Sequence, residues 1–405
     1  MTKNKSLIVV GLYCAVMFLL PFSRLAELPI LVLSITGLFA LFKQWSLLKN
    51  SAQFKILTVV FSAYFAMTLF SATDSYWQQK SLQVAFSSLR FYLSAIALII
   101  YIKPEHKIWI IKILSVVAIF WSIDALIQYF IGVDLLGLKS YAGRLNGIFG
   151  EHHVKLGPVL ALLLPMVMIG LKQHKTIIRW LSVFIIALTI LLSGTRSAWL
   201  MMGFILLAYW FHQVKQRRFQ LLLKASLAGI VMLLSLWFIS ADFQQRIERS
   251  MNIFNGSEAG LDFALADRLP IWKTAWNMFE QHPINGIGAH AFRKAYPDYA
   301  PTDDVWQQQG GVGMHAHHWL LEILAETGLI GLIIFSFALI KLLVFIKNNN
   351  RDDYSWAYFM ALIAAFLPIA STYSLFASFW SICLWFIGSG LILMCENNVG
   401  TFKNA

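Results

Sequence analysis

The sequence predicts an all-α polytopic membrane protein of about twelve transmembrane helices with one large helical loop on the outer side. Three observations predict it. Of the 405 residues, 59% are hydrophobic and only 13% charged, with a mean hydropathy of +0.67; a soluble chain usually carries about twice that charged fraction. The apolar residues fall in windows of about 16 to 22, and about 20 residues at 1.5 Å rise cross the hydrocarbon layer. Lys and Arg, which resist translocation, collect on alternate loops.

The apolar windows in chain order are 6 to 22, 28 to 42, 54 to 72, 86 to 102, 108 to 130, 156 to 170, 177 to 194, 198 to 212, 221 to 240, 318 to 346, 356 to 371 and 378 to 395. With the N-terminus inside, marked by Lys3 and Lys5, the next inside segments carry Lys43, Lys49 and Lys55, then Lys103, Lys107 and Lys112. Lys172, Lys175 and Arg179 follow, then Lys215, Arg217, Arg218 and Lys224, and finally Lys341, Lys347 and Arg351. Both termini are therefore expected in the cytoplasm. Met1 to Ser6 is basic and leads into a long apolar run with no small-residue cleavage site such as A-x-A, so it reads as a retained first span. The division that follows is 1–240 for helices one to nine, 241–317 for the outer loop region and 318–405 for helices ten to twelve.

Composition excludes several function classes. The net charge of +12 is spread over these loops and forms no nucleic-acid patch, so membrane lipids and no nucleic acid are expected as partners. Cys14, Cys383 and Cys395 lie in or beside apolar segments and show neither metal-ligand spacing nor a disulfide framework.

The outer segments are poor in Lys but hold Arg144, Arg196, Arg246, Arg249, Arg268 and Arg293. Arginine suits a site where a planar fork meets phosphate or carboxylate. Within 241–317, the stretch Leu269 to Gln281 has helical spacing of its apolar residues and should end at His282-Pro283, because the residue before a proline is pushed out of the helical region. Ile284 to Ala289 then reads as a glycine-rich turn. Ser193 to Ser197 (SGTRS) joins two spans with almost no loop, where small residues let a phosphate approach backbone amides at the next helix start. Asp267 is expected to cap the helix that Pro270 opens.

The strongest local signal is Gly311 to Gly331, where His315, His317 and His318 precede a span. Three readings stand open for these histidines: a metal site, a general base, or interfacial decoration. A closed structural zinc site needs four ligands and no fourth stands at the usual spacing, so no metal is expected. A neutral imidazole is the natural base for a hydroxyl nucleophile near neutral pH, and nearby arginines keep it deprotonated. Glu322 and Glu326 follow inside the span, where a carboxylate is costly and usually either functional or paired. Glu322, four residues after His318, is placed to orient that ring.

These residues carry a resemblance. His317-His318, followed after nine residues by Gly328-Leu329-Ile330-Gly331, resembles the H-[N/S/Q]-x9-G-x-x-G signature of bacterial O-antigen ligases, in the O-antigen ligase and polymerase superfamily. The run HHWLLEILAETGLIGL after PINGIG at 283 to 288 is similar to that family, as are SGTR at 193 to 196, Arg268 with Trp272, and RLNGIFG at 144 to 150 with LGPVLALLLP at 156 to 165. His318 departs from the signature, standing where Asn, Ser or Gln is usual.

The resemblance implies a twelve-helix bundle with a periplasmic loop, in the bacterial inner membrane, with its active site on the periplasmic face and no metal or nucleotide cofactor. It implies transfer of polysaccharide from an undecaprenyl-diphosphate-linked glycan donor to a terminal sugar of a lipid A-core acceptor. His317 would be the catalytic base, Arg196 and Arg268 would bind the diphosphate, and His318, His315 and Glu322 would support them. The strength of the match and the compact chain favour a ligase. An O-antigen polymerase with the same donor, a protein glycosyltransferase, and a transporter of lipid-linked glycans are the alternatives; the last usually shows paired halves with charges near the membrane midplane, whereas here the basic outer residues crowd at one surface and no halves repeat.

Overall fold

The computed structural model describes residues 2–141, 143–150, 154–213, 219–302, 304–308, 312–349, 352–367 and 373–395. Lys215, Arg217, Arg218, Gly311, Arg351 and residues 368–371 of the eleventh window lie outside the described residues, as do the side chains of Lys3 and Lys224. Among the described residues the chain is all-helical, with two isolated β-bridges and no strand.

Every apolar window is occupied by helix. The helices are Thr2–Phe18, Glu27–Lys43, Ala52–Ser71, Leu89–Tyr101, Lys107–Ile131, Leu156–Gly170, Thr176–Leu192, Arg196–Gln213, Phe219–Ile239, Trp319–Asn349, Asp353–Phe366 and Ser378–Met394. Arg24–Lys43, Ala52–Ser71, Gln78–Tyr101, Pro104–Ile131 and Trp319–Asn349 are long and apolar enough to cross a membrane, and five shorter apolar helices accompany them. The third of these begins before the window at 86, because the amphipathic Gln78–Ser87 runs directly into Leu89–Tyr101. This is a membrane protein by helix length and hydropathy.

The chain folds as two compact units, Met1–Ile110 with Arg268–Phe359 and Ile369–Ala405, and Ile111–Asp267 with Met360–Pro368. In the first, Glu27–Lys43 packs along Leu89–Tyr101, and a two-pronged ion pair fixes their register: Arg90 Nε donates to Glu27 Oε2 at 2.8 Å and Arg90 Nη2 to Glu27 Oε1 at 3.1 Å. Lys107 Nζ donates to Asp352 Oδ2 at 3.3 Å and to the Met394 carbonyl at 2.8 Å. The same unit holds a small core of its own. Ile271, Ala275 and Met278 from the helix Leu269–Gln281 are buried against Phe292, Ala295, Tyr296 and Tyr299 of the helix Phe292–Tyr299, with Ala316 and Ala325 closing it. The first of these two helices has the bounds read from the sequence, with Pro270 in its first turn and its end at Gln281.

In the second unit every residue of Leu156–Gly170 is buried, as befits a helix that is apolar all round. It packs against Thr176–Leu192 and Arg196–Gln213. Two buried polar side chains of Lys107–Ile131 organise the segment after that helix. Asp124 accepts from the Leu135 amide at 3.0 Å and the Ile148 amide at 2.8 Å, and Gln128 Oε1 accepts from the Asn146 and Gly147 amides at 3.1 and 3.0 Å. A carboxylate that collects backbone N–H groups in this way is compensated for its burial.

Candidate active site

The helix Trp319–Asn349 is not continuous as its hydropathy suggests, since Gly328 interrupts it with φ 63 and ψ −164. The break is filled by the glycine-rich turn. Leu329 N donates to the Pro283 carbonyl at 2.8 Å and Ile330 N to the Ile284 carbonyl at 3.1 Å, while Ile287 N and Gly288 N donate to the Ala325 and Glu326 carbonyls at 2.9 and 3.0 Å. The two segments thus satisfy each other's backbone groups. Glycine is required on both sides. A Cβ on Gly328 would stand 2.3 Å from the Ile284 carbonyl oxygen, and one on Gly286, at φ 68, would stand 2.4 Å from the Thr327 nitrogen.

Glu326, buried at 1% exposure, extends this clasp by accepting from the His290 amide at 2.5 Å and the Phe292 amide at 3.3 Å. Glu322 is equally buried, but it does not orient His318 as expected. Its Oε2 accepts from the Leu375 amide at 2.9 Å, while Oε1 has no hydrogen-bond partner. The spacing of four residues was satisfied, but the carboxylate turns to a backbone donor 53 residues downstream.

The histidines sit at the entrance to this helix. His317 has φ 52, a left-handed conformation that costs a residue with a Cβ about 1–2 kcal/mol. Its ring centroid lies 3.8 Å from that of His315. The flanking residues are fixed. Trp272 Nε1 donates to the Ala316 carbonyl at 3.0 Å, and the Trp272 ring meets His318 edge-on at 5.5 Å. Leu321 N donates to His318 Nδ1 at 3.2 Å, and Glu322 N donates to the His318 carbonyl at 2.9 Å. All three histidines are half-buried.

Residues 181–336, which carry this junction, match the family described as O-antigen ligase. This match supports membership of the O-antigen ligase/polymerase superfamily. No curated protein matches the chain. The matched segment begins within Thr176–Leu192 and takes in the SGTR turn, the stretch 241–317 and the junction just described.

Arg268, the first of the proposed diphosphate ligands, stands at the N-cap position of Leu269–Gln281, half-buried, with no side-chain cap. The expected cap, Asp267, is at φ 58 and instead accepts from Arg249 Nη2 at 3.2 Å. An ion pair with a guanidinium wins over a single backbone donor.

Arg196 belongs to the second unit and heads the helix Arg196–Gln213, half-buried. Its Nη1 donates to the Ala264 carbonyl at 2.5 Å and to Ser250 Oγ at 3.1 Å. Arg144 and Arg249 stand within electrostatic reach of it. Arg246 lies against Gly194 of the SGTR turn, where a Cβ would meet Nε at 2.6 Å, and its Nη2 donates to the Gly143 carbonyl at 3.3 Å. Burial, with Arg144 next, holds the Arg246 guanidinium below its ordinary value. Four of the six outer arginines thus gather within this unit. Beside them Asp242, Gln245, Arg246, Glu248, Arg249, Asn252 and Phe263 line a cavity of about 460 Å³.

One residue of the first unit escaped the sequence reading. His290 follows the glycine turn at φ 64, with Nε2 3.4 Å from Arg293 Nη2. Burial first, then Arg293, Lys80 and His315, press its imidazole down to about 4. The only signal was the histidine's position after GIGA and three residues before Arg293. A base held neutral by the fold binds its proton more tightly when unfolded, so its contribution to stability is complete above its ordinary 6.5 and is lost as pH falls from there toward 4. We expect the detergent-solubilised protein to lose about 1–3 kcal/mol of stability over that interval through this group. His290→Asn, which tolerates the left-handed backbone, should flatten the pH dependence of the thermal transition. An unchanged dependence would show that His290 is not the titrating group.

Proposed function

We propose that this chain is an O-antigen ligase of the bacterial inner membrane, with about twelve spans, cytoplasmic termini and a periplasmic active site. It transfers a polysaccharide from an undecaprenyl-diphosphate-linked donor to a terminal sugar of a lipid A-core acceptor. His317 takes the proton from the acceptor hydroxyl. The hydroxyl oxygen forms a bond to the anomeric carbon of the donor as the bond to the lipid diphosphate breaks. Attack opposite the leaving group inverts that carbon. The proton remains on His317 and the negative charge departs with the diphosphate, which Arg196 and Arg268 bind; stabilisation of developing charge of this kind is worth several kcal/mol. His315 and His318 support the base, and Glu322, which accepts from the Leu375 amide, holds the helix that follows it.

The observation that carries the reading is the O-antigen ligase match over the residues that hold His317 in a left-handed backbone between two fixed neighbours. Strain of this kind concentrates at functional sites. An O-antigen polymerase shares the donor but uses a second lipid-linked glycan as acceptor. The two separate on a lipopolysaccharide gel of a strain lacking this gene. A ligase leaves bare core with polymer stranded on its lipid carrier, and the wild-type chain restores the full ladder. A null strain that still attaches a single repeat unit to its core identifies a polymerase instead.

A further inference from the structure

We propose that His318 is the positioning residue for His317, and that it acts as the N-cap of the helix Trp319–Asn349 through Nδ1 rather than by packing its ring on Trp272. The proposal rests on the reading of His317 as the base. The first amides of a helix have no partner within it, and a side-chain acceptor at the N-cap takes up the amide three residues on. His318 does both things an N-cap does. Its carbonyl accepts the first intrahelical bond, from Glu322 N at 2.9 Å, and its side chain accepts from Leu321 N at 3.2 Å. An imidazole nitrogen that accepts carries no hydrogen, so the neutral ring has its proton on Nε2.

This cap fixes the residue that precedes it. His317 is held left-handed between Ala316, whose carbonyl is tied to Trp272 at 3.0 Å, and the capped start of the helix. Without the acceptor the first turn frays, one of the two fixed points goes, and the backbone of His317 is free to return to a less strained region. The base then leaves the place where the acceptor hydroxyl meets it. Misplacement of a reacting group by about 1 Å costs about 100-fold in rate.

Two variants separate the cap from the packing. His318→Asn keeps an N-cap acceptor and removes the ring, whereas His318→Phe keeps a ring for Trp272 and removes the acceptor. Purified full-length protein is reconstituted into vesicles made from membranes of the strain lacking the gene, which hold that strain's own lipid-linked glycan and core, and the rate of ladder formation is followed. The thermal transition of each variant is measured alongside. We expect His318→Asn within about threefold of wild type and His318→Phe reduced about 10-fold to 100-fold, with the latter still folded. Equal rates for the two variants, whether both high or both low, or the reverse order, would overturn the cap. His317→Ala in the same assay tests the underlying reading on its own, because full activity there removes the base while leaving the order of the His318 pair unchanged.

Discussion

Replacement of His317 by Ala should lower the rate of transfer by about 100-fold to 10,000-fold, the usual effect of removing a general base. The variant also relaxes a left-handed backbone, which by itself alters the junction. His317→Asn is the sharper test, since Asn tolerates that conformation but has no basic nitrogen near neutral pH. Both variants should leave polymer on its lipid carrier and bare core on the gel, and the Asn variant should keep the wild-type thermal transition. A loss smaller than tenfold in the Asn variant would take His317 out of the proton transfer. Neither arginine variant should match this effect, because in the proposed mechanism the two arginines share the charge of one leaving group.

Gly328→Ala should be strongly destabilising. The new Cβ would lie 2.3 Å from the Ile284 carbonyl oxygen, and that carbonyl cannot yield because Ile330 N is bonded to it at 3.1 Å. A left-handed backbone adds about 1–2 kcal/mol for any residue with a Cβ. Together the two effects should cost about 3 kcal/mol or more, in the range where only a few named mechanisms act. Thermal unfolding of the detergent-solubilised variant measures it, with Gly388→Ala as the control, since a Cβ there meets nothing within 4 Å. An unchanged transition for Gly328→Ala would mean that the helix does not need its break.

Hydropathy was enough to place helix in the apolar windows, because a long apolar stretch buries its backbone groups only by pairing them internally; five of these helices are long and apolar enough to cross a membrane. The helix Leu269–Gln281 was legible to the residue, bounded by a proline at each end. What stayed hidden depended on partners distant in sequence. The partner of Glu322 is a backbone amide at Leu375, and nothing near Glu322 announces it. The break at Gly328 looks like one more apolar residue until Pro283 and Ile284 are placed against it. Asp267 had the right chemistry and the right position for a cap, and was drawn instead to Arg249, eighteen residues before it. His318 looked like a departure from the family signature, yet its Nδ1 accepts the kind of hydrogen bond that Asn or Ser accepts at a helix N-cap.

The broken helix also bears on how the protein is made. A membrane helix ordinarily pairs all its backbone groups within itself and can leave the insertion machinery alone. Trp319–Asn349 cannot, because four of the hydrogen bonds around its break are shared with residues 283–288. Those residues are synthesised first and must already be available when the helix arrives. Insertion of this segment is therefore coupled to the folding of an earlier one, and the tenth window completes its secondary structure only once the glycine-rich turn is in place to receive it.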